Sequence, residues 1–109
     1  MSGPSPSDNL FRTLADPTRR RILDLLAERG ALTVSQLAAE FPDLVVSGVS
    51  KHLMGLRAAV LGGATRQGRH QLYRINAEVM GEALAPWLAK YAPYWSEALE
   101  RLRKLAEGG

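Results

Sequence analysis

Leu10, Phe11 and Leu14 put apolar side chains on one side of a short stretch, which predicts a helix over 8–14 with Ser7 or Asp8 as its cap. Asp16-Pro17 then sets an N-cap residue before a proline at the first helical position, a strong helix start. That helix is predicted to run through Ile22, Leu23 and Leu26 and to stop at Gly30, where glycine serves as the C-cap. Thr33 opens the next one, with Gln36 three residues later completing a capping box. Val34, Leu37, Ala38 and Phe41 keep the i, i+3, i+4, i+7 spacing of one buried face, and Pro42-Asp43 ends the run. Another helix is predicted over 47–59. Its inner stripe is Val49, Leu53, Leu56 and Val60, and its outward positions are Ser47, Ser50, Lys51, Met54 and Ala58.

After Gly62-Gly63 the period changes. Thr65-Arg66 and the segment 71–75 alternate like strands around Gln67-Gly68-Arg69, a tight glycine turn, so a β-hairpin is predicted. Asn76 caps a helical C-terminal region in which Leu84, Leu88, Tyr91, Trp95, Ala98, Leu102 and Leu105 recur at alternating steps of four and three. This heptad-like seam wants a partner surface. Pro86 and Pro93 predict a break or kink in it.

Two short helices joined by a tight turn, the second polar and basic outside, form a helix-turn-helix, and the hairpin after them makes a wing. The expected class is therefore mainly α with a small β-hairpin, a winged helix-turn-helix whose terminal helices form a dimer interface. The second helix suits the DNA major groove, where small residues at its start allow close approach to base edges. The expected contacts are Ser47, Gly48, Ser50, Lys51, His52, Met54 and Arg57 from the helix, with Arg66, Gln67, Arg69 and His70 from the wing. The phosphate contacts would set register while the helix reads sequence.

Charge sharpens this picture. The net charge is only +3, yet Leu44 to Ala77 contains no Asp or Glu while Lys51, Arg57, Arg66, Arg69 and Arg74 lie within it. Nine basic and eleven acidic residues remain elsewhere. A basic segment in an otherwise slightly acidic chain is the electrostatic footprint of a phosphate-backbone binder, although a solvated basic face gives the same pattern.

Three runs, in order, carry a family resemblance. They are L-A-D-P-T-R-R-R-I-L from Leu14 to Leu23, V-S-K-H-L from Val49 to Leu53, and R-Q-G-R-H-Q-L-Y-R-I from Arg66 to Ile75. Over Leu10 to Ile75 the chain resembles the ArsR/SmtB-type winged-helix regulators, in a subgroup without cysteine metal sites. The resemblance implies a DNA-binding repressor whose first and last helices pack against a second subunit. Four aromatics in nine residues, Trp87, Tyr91, Tyr94 and Trp95, are hard to bury in so small a domain and favour such a shared interface. Its expected members are Leu10, Phe11, Leu14, Leu84, Trp87, Leu88, Tyr91, Tyr94, Trp95, Leu99 and Leu102.

The chain departs from the family pattern at both ends of the reading helix. Leu44-Val45-Val46-Ser47-Gly48 is about one residue longer and more apolar, which makes Ser47 the expected cap. Gly48 costs roughly 1 kcal/mol of helix propensity against the alanine usual there. Ala59-Val60-Leu61-Gly62 replaces a pattern with glycine in second place. A β-branched valine is a poor left-handed residue, so the helix is expected to extend to a cap at Gly62 or Gly63.

Other functions are disfavoured. With no cysteine, disulfides and thiolate metal sites are excluded, and no three or four His or carboxylate ligands converge in sequence, so no metal and no cofactor is expected. Ser50 and His52, two apart on a helix, do not face each other, and Gly62-Gly63 lacks the lysine of a phosphate loop, so no enzyme is expected. The rival reading is a winged helix used for protein interaction or RNA binding. Residues 1–7 (MSGPSPS) read as a disordered lead-in, and 8–109 as one winged-helix domain. Within it the helix-turn-helix is expected over about 33–59, the wing over about 61–75 and the dimerisation helices over about 77–106. The expected partners are double-stranded DNA and a second copy of the chain, with no membrane, in the cytoplasm. No effector is legible.

Overall fold

The computed structural model describes residues 5–108. Among the described residues six α-helices run in chain order, α1 Pro6–Leu14, α2 Pro17–Arg29, α3 Val34–Ala38, α4 Val46–Leu56, α5 Ala77–Lys90 and α6 Ala92–Gly108. Three short strands, β1 Leu32–Thr33, β2 Thr65–Gln67 and β3 His70–Tyr73, form an antiparallel sheet in the order β1-β3-β2.

The helix ends follow local chemistry. Asp16 caps α2 through Thr18 and Arg19 N–H groups, Pro17 follows it, and Gly30 closes the helix at φ 81°. Thr33 and Gln36 exchange both bonds of a capping box at α3, at 3.1 and 2.8 Å. α1 begins earlier than its apolar pattern suggested. Ser5 is its cap, in a capping box with Asp8, and Ser7 lies inside the helix, buried, its hydroxyl donating to the Ala83 carbonyl at 2.5 Å. The expected lead-in therefore overlaps this helix at residues 5–7, because a polar Ser-Pro-Ser start is what an N-terminus needs. Residues 1–4 of that lead-in lie outside the described residues.

The core gathers Ile22, Leu25 and Leu26 of α2, Leu37 of α3, and Val49, Leu53 and Leu56 of α4, closed by Leu10 and Ala83 from the terminal helices. Leu10 is thus a core residue, 1% exposed, and cannot belong to the shared surface expected of it. Leu14 and Leu84 are half-buried against the same cluster. Periodicity shows which side chains share a face but not what covers that face.

α4 does not run on as α-helix to residue 59. A π-helical turn, Arg57–Leu61, follows it, closed by the Gly62 N–H donating to the Arg57 carbonyl at 2.7 Å. The wider turn lets Ala59, Val60 and Leu61 enter the core in succession. Gly62, at φ 67° and ψ −150°, is the stop, one of the two positions expected. The wing starts after it, so Leu61 belongs to the core and not to the wing. In the wing, Gln67 pairs with His70 across Gly68-Arg69, with positive φ at Gly68 only, the pattern of a type II′ hairpin turn. β2 is one residue longer than expected, and β3 begins and ends earlier than the predicted 71–75.

At the C-terminus the helix breaks at Tyr91, two residues before Pro93, while α5 continues through Pro86. Every residue of α6 is exposed. Trp87 is the hub that holds the terminal elements together. Its ring lies 5.0 Å from Phe11 edge-on, 5.1 Å from Tyr91 and 5.8 Å from Trp95.

Candidate nucleic-acid interface

α3 and α4 are the two helices of the helix-turn-helix, joined by the loop from Ala39 to Val45. Val49, Leu53 and Leu56 anchor α4 to the core, which turns Ser47, Lys51 and Met54 to solvent at steps of four and three, and exposed Ala58 follows in the π-helical turn. Gly48 and Ser50 sit on the flanks, half-buried. Arg57 is exposed in the π-helical turn. In the wing Arg66, Gln67, Arg69 and His70 are all exposed, and the Arg66 Nε reaches the Gly68 carbonyl at 3.4 Å. A cleft of about 240 Å³ separates Arg69–Gln71 from Thr33–Ser35 at the start of α3.

Two of the sequence expectations change here. Ser47 is not the cap of the reading helix. Val45, extended at φ −79° and ψ 158°, is the N-cap, and α4 begins at Val46 with no side-chain cap bond among the described residues. Half-buried Leu44, packed on the core, fixes the loop so that the chain turns into the helix at once. Val45 and Val46 are consequently 70% and 53% exposed, an apolar pair on the reading end that was noticed in sequence only as a departure.

His52 is the second. Three residues after Val49, it lies at the edge of the buried stripe and faces α2 rather than the open side. The Arg19 Nε donates to its Nδ1 at 3.3 Å, and an Asp16 carboxylate oxygen lies 3.9 Å from the same nitrogen. Gly55 makes the room for this arrangement, since a Cβ there would meet the Arg19 guanidinium at 2.8 Å. His52 thus ties the reading helix to the N-terminus of α2. That the D-P-T-R and S-K-H-L runs meet in space is invisible in either one alone.

Partial burial pushes the Asp16 carboxyl up, but bonds from the Thr18 and Arg19 N–H groups, with the charges of His52 and Arg19, outweigh it and hold the group below its ordinary 3.8. A depressed carboxyl adds stability that is complete above its unfolded value and is lost as pH falls through the folded one. Asp16→Asn, which keeps a capping side chain, is therefore expected to flatten the loss of stability between about pH 2 and 5. Urea midpoints measured against pH would test this, and an acid limb as steep as that of the unsubstituted chain would refute it.

A buried anchor face, an exposed polar helix and a basic hairpin behind it define a winged helix-turn-helix protein. A family profile described as a helix-turn-helix domain matches residues 14–61. The chain is similar to the transcriptional repressor SdpR of Bacillus subtilis, 32% identical over 84 residues, covering 77% of this chain and 90% of that one. It is also similar to the crystal structure of an ArsR family transcriptional regulator, at 34% identity and TM-score 0.68, covering 84% of this chain and 98% of that one. A third likeness is the homodimeric winged helix-turn-helix DNA-binding domain from Mycobacterium bovis, described as a possible ArsR-family regulator, at 30% identity and TM-score 0.61, over 84% of this chain and 92% of that one. The chain belongs to the ArsR family of winged helix-turn-helix transcriptional regulators.

Among the described residues no group of three or more His, Asp or Glu side chains is placed to hold a metal ion. No helix among them is long and apolar enough to cross a membrane.

Proposed function

We propose that the chain acts as a homodimeric repressor binding double-stranded DNA at a palindromic operator, with half-sites about one helical turn apart. α4 lies in the major groove and the wing on the flanking backbone. The observation that carries the reading is the exposure of Ser47, Lys51, Met54, Arg57, Arg66, Gln67, Arg69 and His70 along a stretch without a single carboxylate. Exposed Val45 and Val46 add apolar surface suited to thymine methyl groups. His52, held by Arg19 and Asp16, positions the helix rather than reading bases. Repression is supported by the likeness to a named repressor, and pairing by the likeness to a homodimeric domain.

The second subunit has a surface to cover. Phe11, Tyr91, Tyr94, Trp95, Leu99 and Leu102 are exposed, half-buried Trp87 and Leu88 adjoin them, and Leu105 prolongs the seam. On α6 the remaining positions carry paired charges, Glu97 with Arg101 at 2.8 Å and Arg103 with Glu100 and Glu107. A helix apolar on one side, with most of that side exposed in the single protomer, fits burial against a twin.

Footprinting on the DNA upstream of the chain's own coding region tests the reading, with two protected half-sites expected. On that DNA, Lys51→Ala is expected to weaken binding about tenfold and to relax base preference. Arg69→Ala is expected to weaken all sequences alike and to reduce the salt slope by about 1. Binding by both variants that matches the unsubstituted chain across a salt series would dismiss this surface. Salt-insensitive binding to a protein, or preference for RNA, would favour the rival reading.

A further inference from the structure

A cavity of about 500 Å³ lies between α1, α5 and the end of α4, apart from the surfaces described so far. Asn9, Arg12 and Thr13 line it from α1, one helical face at steps of three and one. Val79 and Glu82 face them from α5, and Gly55, Ala58 and Ala59 form its floor. Its size is in the range of small-molecule sites.

Two observations point to what it holds. Thr13 is nine-tenths buried, lines the cavity, and has no side-chain hydrogen bond among the described residues. Its hydroxyl is not sealed from solvent, so it is open to a partner that enters the cavity. Arg12 and Glu82, both exposed, line the same cavity with opposite charges from opposing helices, and among the described residues no ion pair within 4.0 Å joins them. A ligand with an anionic and a cationic end would satisfy both, and an apolar middle would cover Val79 and the small-residue floor.

We propose that this cavity binds a small zwitterion, an amino acid or a dipeptide, with its carboxylate on Arg12, its ammonium on Glu82 and a polar group on Thr13. The aromatic seam does not obstruct it. Phe11 and Trp87 occupy one flank of the α1–α5 pair, while Asn9, Arg12, Val79 and Glu82 occupy the other. Because Gly55 lies in the last turn of the reading helix and Ala58 and Ala59 lie in the π-helical turn, occupancy shifts the seat of α4 and couples to DNA affinity. That regulatory consequence rests on the DNA-binding reading, whereas the binding does not.

Titration of the full chain, without DNA, with L-leucine, L-threonine and the dipeptide alanyl-leucine tests it, followed by calorimetry and amide NMR. At least one probe is expected to bind and to move the Gly55 and Ala59 amide signals. Arg12→Gln and Glu82→Gln, both at exposed positions, are each expected to weaken that binding about tenfold or more. 4-Methylpentanoate, which is leucine without the ammonium, and isoamylamine, which is leucine without the carboxylate, are expected to bind far more weakly. No binding by any probe, equal binding in both variants, or 4-methylpentanoate matching L-leucine would each overturn the proposal. Since no DNA is present, none of these failures touches the operator reading.

Discussion

A chain carrying both Leu99→Glu and Leu102→Glu is expected to sediment as a monomer and to lose specific DNA binding. Both leucines are more than 60% exposed in the single protomer, so the substitutions leave its core untouched. In a dimer they would bury two carboxylates per subunit with no partner and remove the apolar contact they replace. Truncating or charging such central positions costs about 3–5 kcal/mol, roughly 10²–10⁴-fold in dissociation constant. On the proposed dimeric mode of binding, operator affinity falls with it, because a half-site reader without its twin forfeits half of its contacts and the half-site spacing. Sedimentation equilibrium and operator binding should fail together. A variant that remains dimeric would place the twofold elsewhere on the molecule.

Gly62→Ala is expected to cost the protomer about 2–4 kcal/mol, while Gly63→Ala next door changes little. At φ 67° and ψ −150°, Gly62 occupies a backbone region that side chains exclude almost completely, worth about 1–3 kcal/mol by itself. An added Cβ would also lie 3.0 Å from the Asn76 Nδ2 and 3.5 Å from a Val79 methyl. Asn76 is the cap of α5, accepting from Glu78 and Val79 N–H groups at 3.0 and 3.1 Å, and its N–H bonds the Val60 carbonyl at 2.9 Å. Displacing it loosens a cap worth about 1 kcal/mol. Gly63 has nothing within 4 Å of its Cβ site and no positive φ. Urea unfolding of the two variants side by side settles the matter, and equal midpoints would rule out Gly62 as the hinge between π-helical turn and wing.

The elements were legible in sequence wherever a local rule decided them. Asp16-Pro17, the Thr33–Gln36 capping box, the Val49–Leu53–Leu56–Val60 stripe and the Gly68 turn all act within a few residues, and all appear where those residues imply. What escaped depends on distant partners. β1 is two residues long and exists only because Leu32 and Thr33 meet Tyr73 and Leu72, forty residues away in sequence. Leu10 has the spacing of a seam residue and becomes core because Ser7, beside it, bonds Ala83 and draws α1 onto α5. His52 has the polarity of a base reader, and only the approach of Arg19 over Gly55 shows that it faces inward. The π-helical turn has no sequence signature. It follows from seating three successive apolar residues before a glycine stop.

The bare start of α4 has a consequence for timing. Val46 and Ser47 present backbone N–H groups that no side chain answers among the described residues, so in the free protein water must serve them. A phosphate oxygen on bound DNA is a better acceptor for that positive end. On the proposed binding mode these two amides pass from water to phosphate, so slowed hydrogen exchange at Val46 and Ser47 is the expected clock for residence on the operator.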